Sequence, residues 1–375
     1  MMRKPAAFFL ALTFAPLPAM TAETIPTQTV PIRVETIASG LENPWSVEVL
    51  ADGAYLVTER PGRLRIIKDG IISPPVEGLP QIAAGGQGGL LDVALSRQFA
   101  ETAILYFSFS EPGSGGAGTA IAQARLVRDD QQPRLEDTKV IFSMNRKTRR
   151  SQHFGSRIVI ADDDSLFFSI GERGDGDRAQ DMQDHAGAIL HINPDGSIPA
   201  DNPYRDGLSA LPELWSKGHR NPQGIAIDST NGTLFAVEHG ARGGDEINQP
   251  QPGKNYGWPI ISYGRHYSGQ KIGRGQQAEG FEQPIHYWDP SIAPGALAVY
   301  RAKMFPEWHG DFLVTALKDQ MLVRVERDKD GKILGEEQML QGKFGRLRDV
   351  IVAPDGSLLL LTDEVDGVLL RVSRP

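Results

Sequence analysis

The sequence predicts an all-β fold, a six-bladed β-propeller with four-stranded antiparallel blades. Three observations carry that expectation. A turn followed by a short apolar, β-rich run recurs six times along the chain. No amphipathic pattern long enough for a four-turn helix occurs anywhere. The 41 glycines and 26 prolines among 375 residues suit many short strands joined by tight turns.

In chain order, Asp52-Gly53 precedes the run 55–58, and residues 99–101 precede 103–107. Asp163-Asp164 precedes 166–170, and Asn231-Gly232 precedes 234–237. His309-Gly310 precedes 312–315, and Asp355-Gly356 precedes 358–362. The copies lie about 45 to 80 residues apart, one supersecondary unit each. Runs at 46–50, 224–227 and 350–352 supply strands before three of them, and 63–67, 188–192 and 368–372 supply strands after three. Closing such a ring takes strands from both chain ends, so the stretch 29–36 is expected beside 368–374.

The chain opens Met1-Met2-Arg3-Lys4, then runs apolar over 6–16 and exits through Ala19-Met20-Thr21-Ala22. That order reads as a secretory signal over residues 1–22, leaving 23–375 as one domain. The apolar run is too short to span a bilayer. A periplasmic or secreted protein is therefore expected. There is no cysteine, so stability must come from packing and metal rather than disulfides. A net charge of −8 argues against nucleic acid or an anionic membrane as partner.

Two motifs are decoys. The glycines of 113–118 satisfy G-x-G-x-x-G, but the following residues 119–127 alternate like a strand instead of opening a helix, so a hairpin loop is expected. Asp175, Asp177, Asp181 and Asp184 lack calcium-loop spacing and read as a solvated acidic loop. There is no H-E-x-x-H, G-x-S-x-G or Walker A sequence.

Other motifs converge. Residues 149–177 describe a hairpin that would bring His153, before its first strand, beside Glu172, after its second. An imidazole beside a carboxylate is an oriented general base in outline. Gly85-Gly86-Gln87-Gly88-Gly89 sets one amide among glycines that let a ligand approach the backbone. Gly218-His219-Arg220-Asn221-Pro222-Gln223 packs polar side chains into a turn before a strand. The segment 238–248 offers carboxylates and carbonyls, the hard oxygen donors that suit calcium. Asn255-Tyr256-Gly257-Trp258-Pro259 follows it. Lys318 follows the fifth repeat, and Arg346 and Arg348 share one face of a strand, as two guanidinium groups awaiting carboxylates would.

In this order these motifs resemble those of the pyrroloquinoline-quinone (PQQ)-dependent aldose sugar dehydrogenases, relatives of soluble glucose dehydrogenase, over about residues 40–372. The resemblance implies a six-bladed propeller with the quinone on one face. It places His153 as catalytic base, Glu172 as the acid that orients it, and Arg220 beside them. It implies quinone contacts from Gln87, Arg220, Asn221, Tyr267, Lys318, Arg346 and Arg348. Calcium would be held by the carbonyls of Gly240 and Ala241, and a further calcium by Glu246 and the carbonyl of Tyr256. Two positions depart from glucose dehydrogenase: residue 172 is Glu rather than Asp, and 239 and 241 are His and Ala rather than Gln and Pro.

The implied reaction oxidises an aldose at its anomeric carbon to a lactone, with a separate electron acceptor restoring the quinone. Trp288, Tyr287 and Tyr300 are candidates for stacking on a sugar ring, or equally for core packing. A monomer or homodimer is expected. Two readings compete: a quinone enzyme for another alcohol, and a calcium-dependent lactonase. The lactonase would leave Arg220, Lys318, Arg346 and Arg348 without a task.

Overall fold

The computed structural model describes residues 22–129 and 132–375. The expected leader lies outside the described residues except for Ala22, which opens the strand Ala22–Ile25. Six antiparallel sheets make the fold. Each recurring run of the sequence is the second strand of one sheet: Tyr55–Glu59, Ile104–Gly113, Leu166–Ile170, Thr233–Glu238, Phe312–Ala316 and Leu358–Thr362. These strands have a neighbouring strand on either side and a blade against each face. Leu166–Ile170 and Leu358–Thr362 are accordingly buried along their whole length, which is why they read as continuous apolar runs rather than alternating ones.

The first strands are Pro44–Val49, Leu90–Leu95, Ile158–Ile160, Pro222–Asp228, Pro294–Val299 and Leu347–Val352. Each packs beside the first strand of the next blade, and Leu347–Val352 packs beside Pro44–Val49, so the six close around an axis. The turn signals have a direct cause. Asp163 and Asp355 accept hydrogen bonds from the backbone N–H two residues on, at 3.1 and 3.0 Å, and so fold the backbone into the tight link between first and second strands.

Ring closure matches the expectation. Ile32–Leu41 pairs with the C-terminal strand Gly367–Ser373, with Val34 opposite Val372. Ala22–Ile25 adds a fifth strand to that blade's outer edge. Hydroxyls latch neighbouring blades: Thr58 Oγ1 donates to the Leu91 carbonyl, Ser169 Oγ to Pro222 at 3.0 Å, and Thr315 Oγ1 to Arg348 at 3.2 Å.

Gly113 pairs with Gly116 across a two-residue turn, so the glycine-rich stretch is a hairpin, as its alternation predicted. The acidic loop differs from expectation. Asp184 is wholly buried and gripped by Arg178 at 2.7 and 3.0 Å, because the 3-10 turn Gly176–Gln180 aims that guanidinium inward. Among the described residues the only α-helix is the four-residue Phe99–Thr102, and no helix is long and apolar enough to cross a membrane.

A candidate active site at one end of the axis

The chain enters the first strand and leaves the second strand of every blade at the same end of the propeller. Residues just before the one and just after the other therefore meet around the axis. They enclose a cavity of about 210 Å³. Gln87, Gly155, Asn221 and Arg346 reach it from strand entrances, and Arg60, His239, Leu317 and Asp363 from strand exits.

His153 lies at its edge. Ile158–Ile160 pairs with Leu166–Ile170 as the predicted hairpin, and His153 Nδ1 meets Glu172 Oε2 at 2.5 Å, with both residues buried. The same carboxylate oxygen accepts the Gly174 N–H at 2.6 Å, so Glu172, where glucose dehydrogenase has Asp, reaches the imidazole. With Nδ1 committed to the carboxylate, Nε2 is the imidazole atom left for proton exchange. His153 holds a left-handed backbone, φ 55°, which costs a side-chain-bearing residue roughly 1–2 kcal/mol. Its N–H donates to Gln87 Oε1 at 2.7 Å, and the Gly155 N–H donates to Asn221 Oδ1 at 3.2 Å. Gly171 is obligatory here: a Cβ would stand 2.3 Å from the His153 carbonyl oxygen. Phe154 and Gly155 line the cavity, while the His153 ring stands beside the lining.

Cations dominate the walls. Arg348 is buried, donating to Asp363 Oδ2 at 2.9 Å and to Gln223 Oε1 at 2.8 Å, while its Nε has no partner. Arg346 donates to the Leu317 carbonyl at 3.3 Å, and Arg60 stands 3.6 Å from Asp363. Asp363 is the one carboxylate facing these guanidinium groups in the lining. Burial would raise its pKa, but Arg348 and Arg60 outweigh burial and hold it at about 2. Arg220, also buried with an orphaned Nε, donates to the carbonyls of Gly240 at 2.7 Å and His239 at 3.1 Å.

Two expected quinone contacts are not brought here. Lys318 is exposed, donating to the Ser291 carbonyl at 2.6 Å and to Asp319 at 3.1 Å. Tyr267 is 77 % exposed on an outlying loop. Of the aromatic candidates for the sugar, Tyr300 and Trp288 are core residues, their polar atoms bonded to the Gly356 carbonyl and to Glu336. Tyr287 is exposed and stacks on Tyr263 with 4.1 Å between ring centroids.

Beside the axial cavity lies a smaller one walled by Arg220, Glu238, Gly240, Glu246 and Tyr256. Burial, with Glu238 next to it, pushes the Glu246 carboxyl up to about 8. Its hydrogen bond comes from the Asn248 amide at 3.2 Å, not from a cation. A half-buried acid so placed suits a hard cation once that cation displaces its proton. Among the described residues no three His, Asp or Glu side chains form a metal cage, so carbonyls would have to complete the shell. The Gly240 and Ala241 carbonyls already accept from Arg220 Nη1 and from the Arg265 N–H. Each oxygen has a second lone pair to offer.

Trp45, Arg60, Gln223, His239 and Asp363 also line the axial cavity; sequence reasoning assigns none of them a role, although Gln223 and His239 fall within its motifs. Strand exits would have found three of them: Arg60, His239 and Asp363 follow the second strands of blades one, four and six, as Glu172 follows that of blade three. Burial pushes His239 down to about 3, and its Nε2 donates to the Pro294 carbonyl at 2.7 Å, so it is a neutral ring.

A family model described as Glucose / Sorbosone dehydrogenase matches residues 41–371. The aldose sugar dehydrogenase of Escherichia coli is 40% identical over 347 residues, covering 91% of this chain and 93% of that one. A crystal structure of a glucose dehydrogenase superposes with a TM-score of 0.88 at 44% identity, covering 91% of this chain and 99% of its own. The PQQ-bound form of the aldose sugar dehydrogenase from Streptomyces coelicolor superposes with a TM-score of 0.74 at 27% identity, covering 96% and 100%.

Proposed function

The chain belongs to the Glucose / Sorbosone dehydrogenase family, and on that premise we propose that it oxidises aldose sugars at the anomeric carbon with PQQ and calcium. The observation that carries this reading is the axial cavity itself: three guanidinium groups, from Arg60, Arg346 and Arg348, against the single carboxylate of Asp363, beside a histidine already paired with a buried acid. A quinone bearing three carboxylates matches that surplus of charge. The PQQ-bound form of a solved relative supports the choice.

In this reading Arg346 and Arg348 bind the cofactor's carboxylates, and their orphaned or weakly engaged N–H groups are what it would satisfy. Gln87 and Asn221 hold the His153 loop from the cavity side. His153 Nε2 removes the proton from the anomeric hydroxyl, and Glu172 stabilises the imidazolium that forms. Bound here, the quinone supplies the hydride acceptor and calcium the Lewis acid that polarises it. Glu246 and the Tyr256 carbonyl, with Glu238 beside them, are the donors for a structural calcium, and the Gly240 and Ala241 carbonyls those for the ion near the cofactor. Export to the periplasm through the segment 1–22 completes the reading.

The test is reconstitution. Protein from a host that makes no PQQ should be inactive, and PQQ with calcium should restore aldose-dependent reduction of a dye. Nicotinamide should not substitute, since the only dinucleotide-like glycine motif is a β-hairpin. Activity that survives quinone removal and exhaustive chelation would overturn the proposal.

A further inference from the structure

Arg173, next to Glu172, has no part in the scheme above, yet it is wholly buried at 0 % exposure. Its Nη1 donates to the carbonyl of Gln152, and its Nη2 to the carbonyl of Arg150 at 2.8 Å. Its guanidinium carbon lies 3.4 Å from the centroid of the Phe154 ring. Among the described residues no carboxylate forms an ion pair with it. These contacts fall on both sides of His153 along the chain. Arg173 also has a left-handed backbone, φ 62°, so two adjacent loops are each held in an unfavourable conformation where they meet.

We propose that Arg173 is a positioning residue for the base: its fork grips the backbone before His153 and its flat face seats on Phe154 after it, fixing the imidazole at Glu172. The proposal rests on His153 being the base. Glu172 and Arg173 then work as a pair from one turn, the acid taking the ring and the guanidinium taking the backbone that carries it.

A burial this complete is costly for a cation that no carboxylate among the described residues pairs directly, although the neighbouring charge of Glu172 offsets part of the cost. Desolvation, with Arg178 nearby, holds its pKa down at about 9, which still leaves it charged at neutral pH. A plain packing role would be served by an apolar side chain. The two carbonyl acceptors are met from two separate nitrogens of one plane, Nη1 and Nη2, a fork that no other side chain offers. Gln87 and Asn221 hold the same loop from the cavity side, so loss of Arg173 should disturb the ring's aim more than the cofactor's seat.

The experiment uses the full chain reconstituted with PQQ and calcium, carrying Arg173→Met or Arg173→Lys, each alone and combined with His153→Gln. Arg173→Met should lower kcat by about 10- to 100-fold, the size expected of a catalytic group displaced by about 1 Å. The quinone concentration for half-reconstitution should stay within about threefold. Arg173→Lys, keeping one donor, should fall between Met and wild type. In the His153→Gln background Arg173→Met should cost less than about threefold more, because two residues acting through one step are not additive. Wild-type kcat in Arg173→Met, or the full loss repeated in the His153→Gln background, would overturn the proposal. If Arg173→Met does not fold, Arg173→Lys decides alone: wild-type kcat overturns the proposal and a selective kcat loss supports it. Near-normal turnover in His153→Gln by itself would instead remove the base, a failure of the underlying reading that is told apart in the same series.

Discussion

The two ends of the propeller axis are built by the same six strands and differ in their balance of charge. At the end where first strands begin and second strands finish, Arg60, Arg346 and Arg348 face one acid, Asp363. At the far end the first strands wall a channel of about 540 Å³, where Glu48, Asp92 and Asp349 gather around Arg157. Arg157 pairs with Asp92 and Asp349 at 3.0 Å each. Trp45 lies between the two ends, with Arg157 4.3 Å and Arg348 5.8 Å from its ring. The far end closes on itself, since its acids bond backbone N–H groups of neighbouring blades: Asp92 to Ile158 at 2.6 Å and Asp349 to Val47 at 3.0 Å. Each end leaves a buried guanidinium nitrogen without a partner, Arg348 Nε at the near end and Arg157 Nη2 at the far end, but Arg157 is paired with two carboxylates and Arg348 with one. Both ends share the first strands, so the difference lies in the charged side chains that those strands and their adjoining loops carry. In the proposed reading, the end with the surplus of guanidinium groups is the one that takes the anionic ligand.

The largest test of that contrast is His153→Gln, which keeps a hydrogen-bonding side chain but cannot take a proton at neutral pH. A positioned general base contributes about 10²–10⁴-fold, so kcat should fall by that factor while quinone still binds. Glu172→Gln should cost less, because the base remains and only its orientation and charge balance suffer. Cofactor occupancy must be measured beside the rate. Normal turnover with full occupancy would take the chemistry away from His153.

Next in size is the charge surplus itself. Arg348→Ala removes a buried cation that would face a ligand carboxylate, a loss on the order of 2–5 kcal/mol when desolvated. The quinone concentration for half-reconstitution should rise at least about tenfold, with sugar preference unchanged. Asp363→Asn should act in the opposite sense, since Asp363 competes with the ligand for Arg348 and Arg60. An unchanged titration in both variants would mean that the charge contrast has no ligand behind it.

How far the sequence foretold this depends on what each feature needed. The blades were legible because a second strand buried on both faces must be apolar throughout, and its preceding turn needs Asp or Gly for local reasons. The His153–Glu172 pair was legible because a single hairpin joins the two residues. Arg60 and Asp363 were not, since they meet only when the ring closes and brings blade one against blade six. Tyr267 and Lys318 were placed by resemblance alone, and no local pattern says which way a loop beyond a strand turns its side chains. Asp184 looked solvated because nothing nearby in sequence shows that Arg178 folds back onto it.

The smallest effect is expected at the closed end, and it asks whether the two ends are independent. Burial, with Asp92 and Asp349 close by, raises the Glu48 carboxyl from 4.5 to about 8. The folded chain therefore keeps that proton between about pH 4.5 and pH 8, while the unfolded chain has given it up. More protons bound to the folded state means that stability falls as pH rises through this window. Each unit of such a shift corresponds to about 1.4 kcal/mol, an upper figure here because Glu48 is only partly shielded from solvent at the channel wall. Glu48→Gln removes Glu48's share of the slope and leaves that of Asp92, which burial raises to about 6. The variant and the wild type should melt together near pH 4.5, and the variant should melt a few degrees higher above pH 8. Its quinone titration and kcat should match wild type, because Trp45 and the Arg157 ion pairs stand between the channel and the cavity. A changed quinone titration would mean that the two ends share one electrostatic field, and the contrast would then be a gradient along the axis rather than two separate sites.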